Sequence, residues 1–439
     1  MKKFLQKHQE KIFFTLILVI GFILRIILVN KVIVGDILAY VEWGQKIWEW
    51  GSKTFYFGEH PWYYSPPNYP PVAALLFGGL DWLFRHRYVT AQLHNLIKIP
   101  PAAFIIYFYK FGDILLYKLL PILSDLALGA VIYKLILALT KNTKKALLGM
   151  TFFVLNPITV FISGAWGQTD SLVAIFGLLA FITLVGGKYA WAIFLFFVSM
   201  YLKPSWGIFA PFFLFVLYLK KPSIKQLLIA AIPTLIALIV VTIPFAEKGV
   251  LAFTKAMWVD KYIIPVKSVG KASVSAFNFY TIFLKIDRSL FNSKLLFIPI
   301  NKLSLFFFAI LNIFAFSFAK KSKSLLWGVI VGIFTIGFGS FLFMVNMLER
   351  YFFPALAPIV IIMFTDIKAL VPLVISNIFL FANIIWSFYR RGSDEIDHPF
   401  TNNNFLLIRL ISTSLVAIFV YVLKNVKIQF SRVLKTQNQ

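Results

Sequence analysis

The sequence predicts an all-α fold, a polytopic transmembrane helical bundle, and three observations lead to this prediction. Hydrophobic residues make up 60% of the 439 residues and charged residues only 14%. The mean hydropathy is +0.83, and a single soluble core cannot bury so much apolar surface. The apolar stretches are also long and continuous rather than alternating, which favours membrane helices over a membrane barrel.

The charge distribution predicts how the chain lies in the membrane. Lysine and arginine number 43 and the acids 17, a net charge of +26. Because the lysines cluster in short segments between apolar runs, the excess indicates cytoplasmic loops rather than a nucleic-acid partner. With both basic tails on this side and an even number of helices, we predict that both termini are cytoplasmic. The high content of lysine, phenylalanine and isoleucine, with no cysteine and no Asn-x-Ser/Thr sequon, favours a prokaryotic plasma membrane. The chain has no cysteine, so it forms no disulfides.

Apolar runs of roughly membrane-spanning length divide the chain. We predict about twelve transmembrane helices in one membrane domain, 1–439. The first follows a basic N-terminus and has no evident cleavage site, so it is predicted to stay attached. The helices are expected near 12–34, 114–139, 145–163, 169–186, 188–202, 205–219, 226–245, 294–318, 324–346, 351–365, 368–389 and 404–424.

Three loops are predicted on the external side. The first, 35–113, contains two shorter apolar runs, 70–84 and 96–109. We expect these to be interfacial helices within one large loop; the alternative is an extra pair of spans, which would make fourteen. The other external loops are 246–293 and 390–403.

Several polar residues lie near the external ends of the predicted helices, where an apolar chain rarely places them. Asp36 follows the first helix, and Asp170 follows Gln168 between two apolar helices. Each aspartate is either a site residue or an N-cap, since aspartate is a favoured cap. Asp125 lies inside an apolar run and is either functional or half of a buried ion pair with Lys118 or Arg25.

Two basic positions complete this set. Lys203 falls at an external helix boundary, and Arg350 follows Glu349 at another. Both side chains suit a phosphate-bearing ligand; the alternative is that they extend to lipid phosphates at the interface. No P-loop, glycine-rich dinucleotide motif, HExxH or Gly-x-Ser-x-Gly elbow occurs, so ATP-driven transport, redox chemistry and zinc hydrolysis have no support.

Taken in order, these segments resemble the GT-C superfamily of integral-membrane glycosyltransferases, and within it the bacterial relatives of PIG-V type mannosyltransferases. The resemblance covers about 36 to 358. One departure is that relatives often have histidine where this chain has Leu348; His398 or Arg391 is the candidate substitute. The matching segments are Gly35-Asp36, Asn68-Tyr69-Pro70-Pro71, Ser124-Asp125-Leu126, Trp166-Gly167-Gln168-Thr169-Asp170-Ser171, Leu202-Lys203-Pro204, Ser275-Ala276-Phe277-Asn278-Phe279-Tyr280 and Glu349-Arg350-Tyr351 with Pro354.

The resemblance implies a GT-C-like fold and an inverting transfer of a hexose, most commonly mannose, from a polyprenyl-phosphate donor at the external face. Asp36 would be the general base. Substrate-binding positions would be Tyr69, Asp125, Gln168, Asp170, Lys203, Glu349 and Arg350. The acceptor would be a glycolipid, a polymer or a protein.

Cofactors and other functions follow from what the sequence contains. Some members of the superfamily use a divalent metal and others do not; because the sequence has no tight cluster of acids, we predict no metal and no cofactor. The main alternative function is a transporter or flippase of a lipid-linked sugar, although no inverted repeat is evident. A purely structural subunit is the third interpretation.

Overall fold

The computed structural model describes residues 2–264, 270–284, 290, 292–295, 297–392 and 405–435. The chain is 79% helical, which confirms the all-α prediction. The helices are α1 (Lys2–Leu28), α2 (Gly35–Glu49), α3 (Pro71–Arg85), α4 (Tyr88–Ile97), α5 (Ala102–Thr140), α6 (Thr143–Val154), α7 (Pro157–Thr159), α8 (Asp170–Val185), α9 (Tyr189–Leu202), α10 (Ala210–Lys220), α11 (Ile224–Thr242), α12 (Val250–Trp258), α13 (Phe279–Phe283), α14 (Ile300–Lys321), α15 (Leu325–Phe343), α16 (Phe353–Thr365), α17 (Ile367–Gly392) and α18 (Phe405–Lys435).

Short irregular turns extend several of these helices. The segments Val160–Trp166 and Val259–Ile263 are π-helical, and Pro204–Phe209 and Ile243–Phe245 are 3₁₀-helical. Among the described residues, the only sheet is an antiparallel pair, β1 (Lys294–Leu295) and β2 (Ile298–Pro299).

The apolar helices support a membrane-embedded, multi-pass protein. In the described part of the chain, eight are long and apolar enough to cross a membrane. Four of the twelve predicted runs form shorter apolar helices instead, so the count of twelve crossings stays a prediction. Those four are Asp170–Val185, Tyr189–Leu202, Pro204–Lys220 and Phe353–Thr365.

The first predicted loop ends earlier than the sequence indicates. Helix α5 is continuous over 39 residues and begins at Ala102, twelve residues before the predicted start. The run 96–109 is therefore split between α4 and α5, and α3 is only 15 residues long, so the described chain does not contain the two additional spans. At about 58 Å, α5 is nearly twice as long as a ~30 Å hydrocarbon core.

The first turns of α5 pack against the loop helices. Phe84 of α3 contacts Phe108, with ring centroids 6.1 Å apart, and the Tyr117 hydroxyl donates a 2.9 Å hydrogen bond to the carbonyl of Phe77. These contacts join α2, α3 and the start of α5 into a cluster of buried residues separate from the main core. The main core lies among α5–α10 and α14–α18.

The third predicted external loop, 390–403, lies almost entirely outside the described residues. His398 is among the residues not described, and so is the side chain of Arg391. The second predicted loop, 246–293, contains α12 and α13. Its segment at 275–278 reaches the site described below.

Candidate active site

Asp36 lies in the first turn of α2, and its carboxylate is held by two neutral donors. The indole of Trp166 donates to Oδ2 at 3.0 Å, and the amide of Gln168 donates to the same oxygen at 2.6 Å. The N-cap of α2 is Val34, so the interpretation of Asp36 as a cap is wrong. Its side chain is partly exposed, and both of these bonds are made to Oδ2.

Gln168 links Asp36 to a pair of tyrosines. Its amide oxygen accepts from the Tyr40 hydroxyl at 3.1 Å, and that hydroxyl is 3.0 Å from the hydroxyl of Tyr69. Because the Tyr40 proton is directed at Gln168, Tyr69 is the donor of the pair. Burial, reinforced by Tyr69 and Asp36, raises the pKa of Tyr40 well above its usual range. Its phenol therefore stays protonated and can donate the hydrogen bond to Gln168.

The segment that carries Trp166 and Gln168 is shaped by Gly167. This residue has φ +81°, and a Cβ there would lie 3.0 Å from side-chain atoms of Ile37 and Lys118. The positive φ and the lack of space both require glycine. The π-helical turn before it and α8 after it therefore meet at a sharp bend, which turns both polar side chains towards α2.

Lys118 fastens this bend to the end of α1. Its ammonium donates to the carbonyls of Val29 at 2.7 Å, Val32 at 2.7 Å and Ala165 at 2.6 Å. Since an ammonium has three N–H groups, all three are satisfied by the two segments that precede Asp36 and Trp166. The sequence indicated Lys118 only as a partner for Asp125; a lysine within an apolar run was the signal for a buried cation.

Asp170 joins the two cations that the sequence singled out. Lys203 Nζ lies 2.8 Å from Oδ1 of Asp170, and Arg350 Nε lies 3.8 Å from Oδ2. All three side chains are buried, so neither cation extends to the lipid interface. The N-cap of α8 is Thr169, so the interpretation of Asp170 as a cap is also wrong.

These charges have unused hydrogen-bonding capacity. Oδ2 of Asp170, Nε of Arg350 and the hydroxyl of Thr169 are buried and make no hydrogen bond. Burial, the largest single effect, would lower the pKa of Lys203, but the Asp170 carboxylate together with Tyr69 and Tyr351 outweighs it, and the pKa is raised. Lys203 therefore keeps its charge throughout the pH range in which a free lysine is charged, and its stabilising pair is lost only as pH rises beyond that range.

Glu349 is fully buried and fixes the guanidinium of Arg350. Arg350 Nη1 donates to it at 2.9 Å, while Ser387 donates to its other oxygen at 2.9 Å together with Ser275. The main chain at Ser275 is in turn held by Asn383, which donates to its carbonyl at 2.8 Å. This network attaches the second loop to α17 and aims Arg350 at Asp170.

Contacts thus connect seven of the eight predicted site residues into one cluster, the charged cluster. The Arg350 guanidinium lies 4.9 Å from the ring centre of Trp166, and Lys203 Nζ lies 5.5 Å from the ring centre of Tyr69. Because Trp166 and Tyr69 hydrogen-bond Asp36 and Tyr40, these contacts connect both cations to α2. The cluster has three carboxylates and two cations. Its members are Asp36, Tyr69, Gln168, Asp170, Lys203, Glu349 and Arg350.

Asp125, the eighth residue, lies in an ion pair behind the cluster. Arg25 contacts its Oδ2 at 3.1 Å, and both side chains are completely buried. Arg25 also donates to Ser163 at 3.0 Å and Thr159 at 2.9 Å, next to the bend at Gly167. Of the two partners considered for Asp125, Arg25 is the one that pairs with it. Through Ser163 and Thr159, the ion pair supports the segment that leads to Gly167.

Replacing Arg25 by methionine is expected to lower the free energy of unfolding by about 3–5 kcal/mol, because it leaves Asp125 buried without a counter-charge. The apolar double variant Arg25→Met with Asp125→Leu should recover most of the loss. Melting temperatures in detergent micelles measure both effects. Equal melting of the wild type and the single variant would show that the pair does not stabilise the fold.

No protein-family model and no curated protein matches this chain. Among the described residues, no group of three or more histidine, cysteine or acidic side chains is arranged to hold a metal ion.

Proposed function

We propose that this protein is a GT-C-like membrane glycosyltransferase that moves a hexose, with mannose as the first candidate, from a polyprenyl-phosphate donor to an acceptor at the external face. The observation that carries the proposal is the pairing of functions within one cluster. A partly exposed carboxylate held by neutral donors, Asp36, belongs to the same cluster as two buried cations. Arg350 lies over the ring of Trp166, which donates to Asp36, and Lys203 lies over the ring of Tyr69. A group transfer with an anionic leaving group needs both a base and such cations.

Asp36 is suited to accept the proton of the acceptor hydroxyl. Trp166 and Gln168 bind its Oδ2, so Oδ1 is the oxygen that would face the incoming hydroxyl. The carboxylates of Asp170 and Glu349 are instead engaged by Lys203 and Arg350. This division of partners supports Asp36 as the base.

The transfer is a single displacement. The acceptor oxygen attacks C1 of the donor sugar as its proton passes to Asp36, and the C1–O bond to the polyprenyl phosphate breaks. The electron pair of that bond leaves on the phosphate, and the new C1–O bond forms on the opposite face of the sugar. Asp36 then releases the proton to water, which returns the carboxylate.

Lys203 and Arg350 are proposed to stabilise the departing phosphate. Each cation already pairs with a carboxylate, Lys203 with Asp170 and Arg350 with Glu349. The phosphate would therefore bind cations that keep these carboxylate partners. Among the described residues, the Nε of Arg350 has no hydrogen-bond acceptor, so it could donate to a phosphate oxygen. A charge-assisted bond of this kind strengthens as negative charge develops on the leaving group.

Transfer by the purified protein tests this function. The protein in lipid nanodiscs is given synthetic polyprenyl-phosphate mannose or glucose, labelled in the sugar, with a crude lipid and polymer extract as acceptor. We expect labelled product and free polyprenyl phosphate in equal amounts. No transfer, together with movement of the labelled lipid across liposome membranes, would contradict the enzyme and support a flippase.

Replacing Lys118 by methionine is expected to lower kcat on the order of tenfold, because a small displacement of positioned groups is costly in an active site. The substitution frees three main-chain carbonyls that now fix the segments before Asp36 and Trp166. The KM for the donor should change much less than kcat, since Lys203 and Arg350 are untouched. Steady-state kinetics at two donor concentrations separates these effects; an unaltered kcat would remove Lys118 from the positioning of Asp36.

A further inference from the structure

A buried carboxylate on α2 fixes a short loop outside the charged cluster. Glu42 is only 6% exposed, and its two oxygens accept the main-chain N–H groups of Tyr63 at 2.7 Å and Tyr64 at 3.0 Å. The next residue of α2, Trp43, donates its indole N–H to the carbonyl of Ser65 at 2.6 Å. One face of α2 therefore holds three consecutive residues of the loop by their main chain.

The side chains held in this way point outward. Tyr63 is 84% exposed and Tyr64 is 43% exposed, and their rings meet edge to face with centroids 4.8 Å apart. Neither ring belongs to the hydrophobic cluster that contains Trp62 and Tyr69. Burying a carboxylate costs free energy unless it is well hydrogen-bonded. The buried carboxylate of Glu42 nevertheless fixes two residues whose aromatic rings remain exposed.

The tyrosine pair has a fixed position relative to Asp36. Glu42 is six residues further along the same helix, a rise of about 9 Å. The loop then continues to Tyr69, whose hydroxyl meets Tyr40 and whose ring faces Lys203. The loop between them is stiffened by Pro66 and Pro67, because proline fixes the backbone angle φ.

We propose that Tyr63 and Tyr64 form a carbohydrate-binding subsite for the acceptor, which is then a glycan chain of several sugars whose terminal hydroxyl reaches Asp36. This inference rests on the proposed function. The C–H faces of a sugar ring pack on an aromatic ring, and tyrosine adds a hydroxyl that hydrogen-bonds the rim. Tyrosine offers this rigid contact area at a low cost in conformational entropy.

A lipid surface is the other partner that exposed tyrosines fit, and two observations favour the glycan. Segments that bind the membrane surface are rich in lysine and arginine, but 54–70 contains neither, and its one acid is Glu59. An aromatic anchor in the lipid interface also needs no fixed main-chain position. The hydrogen bonds from the main chain of Tyr63 and Tyr64 to Glu42 fix both residues in place. A fixed pair of rings suits a partner with a defined shape.

Binding is tested first without any transfer. Saturation-transfer NMR with the full-length protein in nanodiscs uses mannohexaose and maltohexaose as probes. We expect the wild type to bind at least one hexasaccharide, and the double variant Tyr63→Ala with Tyr64→Ala to bind it at least tenfold more weakly. Tyr88→Ala is the matched control, since Tyr88 is a half-exposed tyrosine on α4 and should leave binding as in the wild type.

Transfer gives the second readout. With a hexasaccharide and a monosaccharide as alternative acceptors, the ratio of their kcat/KM values should fall at least tenfold in the double variant, mainly through the KM of the hexasaccharide. Equal binding by the wild type and the double variant would overturn the subsite. So would binding of neither probe, in which case the membrane interface is left as the surface that the two tyrosines contact.

The two proposals fail in different ways. Hexasaccharide binding that depends on Tyr63 and Tyr64, without any sugar transfer, would contradict the glycosyltransferase and leave a glycan-binding protein. Transfer that proceeds equally well in the double variant with every acceptor would contradict the subsite alone.

Discussion

Replacing Asp36 by asparagine is expected to lower the rate of sugar transfer by about a hundredfold or more, the range over which a positioned general base acts. In the unsubstituted protein, Trp166 and Gln168 donate to Oδ2 of Asp36. The amide oxygen of asparagine can accept the same two hydrogen bonds. The fold and the donor KM should therefore change little. The amide cannot take the proton of the acceptor hydroxyl, so the transfer step should slow. Initial rates at saturating donor measure the effect.

Asp113→Asn is the matched control for this variant. Asp113 is also a partly buried aspartate, and it accepts the main-chain N–H of Ile114 within α5, away from the charged cluster. We expect wild-type transfer from it. Equal transfer by Asp36→Asn and Asp113→Asn would keep the enzyme and assign the base to another carboxylate.

Removing the charge of Lys203 is expected to lower transfer by about 10²–10³-fold, the usual cost of losing one group that stabilises transition-state charge. Lys203→Met alone leaves the buried Asp170 with Arg350 at 3.8 Å as its remaining ion-pair partner, so it risks misfolding. The double variant Lys203→Met with Asp170→Asn removes both charges and is the variant to assay. Its loss should be in kcat, because the phosphate charge that Lys203 stabilises develops as the C1–O bond breaks.

Two further variants sharpen this result. Lys203→Arg keeps the charge and should retain much more activity than the neutral double variant. Lys220→Met removes a partly buried lysine that donates to the carbonyl of Val185 outside the cluster, and it should transfer as the wild type does. Full activity in the neutral double variant would remove Lys203 from the phosphate site.

The composition and the apolar runs were enough to predict the helices. Each of the twelve runs contains helix in the described chain, because a backbone in hydrocarbon must satisfy its own hydrogen bonds. The start of α5 was predicted too late. Pro100, Pro101, Lys110 and Asp113 are typical of a loop, but Pro101 is the N-cap of α5, and the first part of this helix packs against α3 and α4.

Within the candidate site, the sequence indicated which residues to examine but not how they pair. Asp125 was assigned either Lys118 or Arg25, and hydrophobic patterning alone does not say which helices are neighbours. The connection from Asp36 through Gln168 to Tyr40 and Tyr69 joins residues up to 132 positions apart. Such contacts depend on the bend at Gly167, where the π-helical turn ends, and no local pattern in the sequence predicts that turn.

The configuration of the product tests the single displacement at Asp36 most directly. Transfer from a donor of known anomeric configuration to a defined acceptor, followed by NMR of the purified product, shows whether C1 has inverted. We predict complete inversion, since one carboxylate acts as base and the phosphate leaves from the opposite face. Retention would exclude a single displacement from the opposite face of the sugar, and it would contradict the role assigned to Asp36.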